Sequence, residues 1–79
     1  MYWNKINNSC YEFTKRYHVV PETIQMNEEL YRNLLNEMYG NQKLVLIKTN
    51  SVRGLKIIIK ELNQEFVISS TINKMKVKY

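Results

Sequence analysis

The chain has no alanine and no aspartate, one histidine, one proline, one cysteine and two glycines. Each shortage excludes some chemistry. Without aspartate a Ser–His–Asp triad cannot be built, and only a glutamate could take the third place. His18 and Cys10 alone do not supply the clustered ligands that a metal centre needs. With Gly40 and Gly54 the only glycines, there is neither GxxxxGK[ST] nor GxGxxG, so no phosphate-cradling loop is expected. Glu28 and Glu29 are adjacent and project from different sides of a helix, which suits dipole partners better than an acid/base pair. His18 reads as a surface histidine. No catalytic, cofactor-binding or metal-binding residue emerges, and the chain reads as a non-enzyme.

A single cysteine also excludes a disulfide framework and fits a reducing compartment. Cys10 reads as inert packing. Long apolar runs are missing too. LVLI (44–47) and III (57–59) fall far short of the roughly 20 residues of a membrane span. The opening MYWNKINNSCYEF has no apolar stretch of the secretory kind. The expectation is a soluble protein of the bacterial cytoplasm with no membrane partner. At 79 residues it forms one domain with a thin core.

What is abundant is equally telling. Asn, Lys, Ile, Tyr, Met and Phe make up 39 of the 79 residues, and all are encoded by A/T-rich codons. The gene is expected to come from a low-GC bacterium or one of its phages. The formal charge is +5, carried by nine lysines and only Arg16, Arg32 and Arg53. Codon bias by itself enriches lysine, and readers of bases and phosphates favour arginine. The charge is uneven: residues 1–42 sum to −1 and residues 43–79 to +6.

Along the chain, the polar stretch 1–9 reads as a flexible arm whose Tyr2 and Trp3 dock either onto the domain or onto a partner. Residues 10–79 form the domain. CYEFTKRYHVV (10–20) alternates apolar and polar residues and is expected as a strand ending at Pro21. TIQM (23–26) is a short extended piece. Asn27 is a good N-cap, and Leu30, Leu34 and Met38 mark one apolar stripe of a helix that Gly40 closes. KLVLIKT (43–49), LKIIIKE (55–61) and FVISSTI (66–72), running on into INKMKVKY, are expected as strands, with turns at SVRG (51–54) and LNQE (62–65). The expected fold is α+β, a small two-layer sandwich: an antiparallel sheet of four or five strands with one helix packed on one face.

The sheet face away from the helix then carries Lys56 and Lys60, with Lys48, Lys74, Lys76 and Lys78. It has no aromatic residue for base stacking. The lysines read either as protection against edge-to-edge pairing or as a contact surface for nucleic acid or an acidic protein.

The passage VVPETIQMNEELYRNLLNEM followed by RGLKIII resembles a pattern in small uncharacterised proteins of low-GC phages and prophages. It is carried here by Pro21, Ile24, Met26, Tyr31, Leu34, Gly54, Leu55 and Ile57. A similar helix-to-strand passage occurs in capsid proteins of tailed phages. The resemblance implies a phage or mobile-element accessory protein. Together with the missing catalytic groups it leads to stoichiometric binding of a larger host or phage protein, as in an anti-CRISPR-like inhibitor of a defence nuclease or an inhibitor of a host polymerase. The expected contact residues are Tyr2, Trp3, Arg53, Lys56, Lys60, Lys74, Lys76 and Lys78. The alternatives are a small basic DNA- or RNA-binding protein and a self-associating virion or assembly component.

Overall fold

The computed structural model describes residues 1–70 and 75–78. In chain order the elements are α1 (Tyr2–Tyr17), β1 (Thr23–Met26), α2 (Glu28–Glu37), α3 (Asn41–Thr49), β2 (Ser51–Val52), β3 (Leu55–Ile59), β4 (Phe66–Ser70) and β5 (Met75–Lys78). The strands form one sheet in the order β2-β3-β1-β4-β5. The fold is α+β with five strands, as expected. The sheet is mixed, however: β1 runs parallel to β3 and antiparallel to β4. Three helices accompany it where one was expected.

The pleat sorts the strand residues. Ile24 lies between Ile57 and Ile68 in register, and Met26 lies beside Phe66. These five, with Leu55 and Val52, are buried in one core with Ile6, Cys10 and Phe13 of α1, Leu30 and Leu34 of α2, Met38, and Leu46 of α3. The alternate strand positions stay outside the core. Lys56 and Ile58 are exposed, while Thr23, Gln25 and Ser69 are half-buried. Val67 is the exception on this side; it is buried between Gln25 and Lys78 in register.

The N-terminal half departs most from expectation. The arm over 1–9 and the strand over 10–20 are replaced by a single 16-residue helix. Its buried residues, Ile6, Cys10 and Phe13, recur at helical spacing, and the half-buried Tyr17 continues the stripe. The alternation at 11–19 is incidental to it. The helix stops at His18, whose N–H makes the last bond of the helix, to the Thr14 carbonyl, and whose left-handed backbone (φ 58°) turns the chain away. α2 follows the expected pattern. Asn27 caps it through Oδ1, which accepts from the Leu30 N–H at 2.8 Å. It closes at Met38, and Gly40 instead starts α3, with a φ of 65° that favours glycine.

KLVLIKT is helical as well, contrary to the strand expected there. Asn50 ends α3 in the left-handed region and pairs with Ile57 through its carbonyl and its side-chain amide. SVRG becomes the two-residue strand β2 and a tight turn into β3. Arg53 and Gly54 both have positive φ, 51° and 80°, as a two-residue hairpin loop with the twist of its strands requires.

Candidate functional site

α3 does not bury its apolar residues. Of its four consecutive aliphatics only Leu46 enters the core; Leu44, Val45 and Ile47 are each more than half exposed. A strand at 44–47 between two layers would have hidden more of this surface. The helix displays three large aliphatic side chains, and Tyr39, just before it, is 82% exposed.

Beside α3 lies a cleft of about 250 Å³. Its apolar walls are Trp3, Met38, Val45 and Val52, and its rim carries Gln42 and Arg53. Three separate parts of the chain converge here. Trp3 comes from the first turn of α1, which is held in place by Glu37. The Glu37 carboxylate accepts from the Tyr2 N–H at 2.8 Å and from the Trp3 N–H at 2.9 Å. Helix N-termini leave such donors without intrahelical partners, and a carboxylate there also meets the positive end of the dipole. α1 has no acidic residue in its own first turn and no side-chain cap, so the end of α2 supplies one across the fold. A second cleft, about 190 Å³, shares Trp3, Met38 and Gln42 with the first and has Met1, Glu37 and Tyr39 among its walls.

Arg53 reaches the cleft from the β2–β3 turn. Its Nε donates to Asn7 Oδ1 at 2.5 Å, which ties the turn to α1. Its positive charge also acts on the buried Cys10. Burial pushes the Cys10 thiol up and Arg53 pulls against that shift, with burial the larger effect. An arginine in the left-handed region is sterically disfavoured relative to glycine or asparagine. Such positions cluster at functional sites, where the side chain has a use.

Of the expected contact residues, Trp3 and Arg53 meet at one cleft. Tyr2 does not join them; it lines a separate polar hollow with Asn27, Asn33 and Glu65. Lys56 is exposed on the sheet side away from the core, and Lys60 follows β3 directly. Lys48 sits on α3 and not on the sheet. Lys78 is exposed on β5 opposite Val67, and Lys76 pairs with Ser69 in register. Lys74 lies outside the described residues. Sequence reasoning missed Leu44, Val45 and Ile47. The run of four aliphatics carries no decisive period, so it fits a strand buried on both faces as well as a helix. Among the described residues, no group of three or more His, Cys or Glu side chains is placed to hold a metal ion, and no helix is long and apolar enough to cross a membrane.

Comparison of the chain with family models, with curated proteins and with solved structures finds no match.

Proposed function

We propose that this is a non-enzymatic accessory protein that acts by stoichiometric binding to a larger protein, with α3 and the Trp3–Arg53 cleft as its contact surface. One observation carries the reading: Leu44, Val45 and Ile47 stand exposed on α3, and Val45 also lines the apolar cleft beside it. Because each is about half exposed, solvent contact for these three aliphatic side chains forgoes on the order of 1 kcal/mol apiece relative to full burial. Exposed large aliphatic side chains next to a concavity are an ordinary mark of an interaction site. The A/T-rich composition supports a phage or mobile-element origin, which makes an inhibitor of a host or defence enzyme the natural class. Composition alone supports that origin.

The test uses immobilised protein and extract from a low-GC bacterium. Wild type should retain a discrete protein in one-to-one ratio, and Val45→Glu should lose it while its circular dichroism stays unchanged. Equal retention by the variant would remove α3 from the contact surface. Size exclusion with light scattering, with and without a short DNA duplex, separates the alternatives. A DNA complex that survives physiological salt would point to the lysines of the sheet, and a dimer mass would point to self-association.

A further inference from the structure

The charge around this surface narrows the partner's chemistry. Between Glu37 and Glu61 the chain carries Lys43, Lys48, Arg53, Lys56 and Lys60 and no carboxylate. α3 therefore presents aliphatic side chains bracketed by Lys43 and Lys48, and the cleft beside it has Arg53 on its rim. Resting on the docking reading above, we infer that the occupant is an acidic protein segment with interspersed bulky apolar residues. One apolar side chain fills the cleft, a neighbouring carboxylate faces Arg53, and further apolar residues cover Leu44 and Ile47.

Three competing occupants fit less well. A second copy meeting this face symmetrically would bring two patches of like charge together, each with Lys43, Lys48 and Arg53 and no carboxylate, because a two-fold interface uses the same patch twice. A phosphate backbone would satisfy the cations and gain nothing from Leu44, Val45 and Ile47. An anionic membrane would satisfy both charge and apolarity, but a lipid surface accepts a wide helix face lying in its plane. α3 has nine residues, and the apolar surface continues from it into a concave cleft with Trp3 in its wall. A side chain can enter such a cleft: an enclosed cavity of about 150 Å³ already accommodates benzene, and this one measures about 250 Å³. Opposite charge at the rim also steers encounter and suppresses wrong partners.

Trp3 is the only tryptophan, so its fluorescence reports on the site directly. The probe is a tryptophan-free synthetic peptide of alternating glutamate and leucine or phenylalanine. About ten residues span ~33 Å when extended, which matches the protein's longest dimension of 32 Å. Controls are the same peptide with lysine for glutamate, an oligoglutamate of equal length, and vesicles of phosphatidylcholine with phosphatidylglycerol. The expected result is a saturable one-to-one shift of Trp3 emission with the acidic apolar peptide alone. Its affinity should fall about tenfold or more when Lys43→Glu and Lys48→Glu are combined, and should fall with added salt. Val45→Glu should abolish the shift; because Val45 is half exposed, that variant should fold.

Binding of the lysine peptide in preference to the acidic one would overturn the acidic chemistry and leave the docking surface standing. Equal binding of oligoglutamate would overturn the role of the apolar anchor. A Trp3 shift with vesicles and not with peptide would assign the surface to lipid. If no probe moves Trp3 and Val45→Glu still retains the cellular partner, both this inference and the docking surface fail.

Discussion

The carboxylate of Glu37 offers a test in which two electrostatic effects of opposite sign compete. It accepts the first two amide protons of α1 at 2.8 and 2.9 Å, and those bonds are partly buried. Hydrogen bonds to charged groups contribute about 1.5–3 kcal/mol, and loss of an N-terminal cap costs about 0.5–2 kcal/mol, so about 2 kcal/mol is a fair value for the pair. The same side chain lies in the last turn of α2, where the dipole disfavours negative charge by roughly 0.3–1 kcal/mol. Glu37→Ala removes both effects and should destabilise by about 1.5 kcal/mol. Glu37→Gln keeps one acceptor oxygen and relieves the unfavourable charge, so it should cost about 0.5 kcal/mol. At a urea dependence near 1 kcal/mol per molar, the alanine variant's midpoint should fall by roughly 1–1.5 M. The assay is urea unfolding followed by circular dichroism and by Trp3 emission. The folded emission of the alanine variant should also shift to the red as the first turn of α1 frays and Trp3 gains water. The result that refutes this reasoning is a reversal of sign. If the bonds to α1 are worthless, only the clash with α2 remains, and Glu37→Ala becomes the more stable protein.

Three further outcomes follow from local geometry. Asn27→Ala removes the side-chain acceptor for the Leu30 N–H and should lower unfolding free energy by about 1 kcal/mol; Asn27→Ser should recover most of it in the same denaturation assay. His18→Gly relieves a left-handed backbone and should raise the thermal midpoint, with a gain of up to about 1 kcal/mol; a drop would mean that the imidazole makes a contact worth more than the strain. Cys10 provides a pH dependence. Its folded thiol pKa is raised above the ordinary 9.0, so above that value the folded state holds a proton that the unfolded state releases. The stabilisation is complete below about pH 9 and is lost as pH rises through the raised folded value. The stability advantage of wild type over Cys10→Ala should therefore shrink in urea titrations as pH rises above about 9; a constant difference would show that the thiol does not titrate on unfolding.

Much of the sheet could be read directly from the sequence, because period-two alternation survives wherever one face is buried. Lys56 and Ile58 alternate with the buried Leu55 and Ile57, and the structure keeps that sorting. α2 was equally plain, since its cap and its stripe agree. The failures have separate physical causes. In α1 the helical stripe of Ile6, Cys10 and Phe13 uses a cysteine and is diluted by polar residues, while Tyr11, Phe13, Tyr17 and Val19 happen to alternate. In α3 the aliphatic run has no period, so local propensity favoured a strand and tertiary context decided otherwise. The parallel pairing of β1 with β3 joins distant segments, and no local pattern encodes it. At the candidate site, Trp3 and Arg53 stood out as exposed aromatic and lone turn arginine. Their meeting depends on the bonds from Tyr2 and Trp3 to Glu37 and on the bond from Arg53 to Asn7, all of which join distant parts of the chain.

The central strand has a consequence for how the chain is made. β1 is complete at Met26, yet its two neighbours are Leu55–Ile59 and Phe66–Ser70. As the chain emerges during synthesis, the first half can form α1 and α2 but has no sheet to cover. Ile24 and Met26 must wait for partners made about thirty to forty-five residues later. Closing such loops before any strand pair is rewarded slows folding. A nascent chain stalled before residue 55 would leave the apolar stripes of both helices without their sheet, and a chaperone would meet them first.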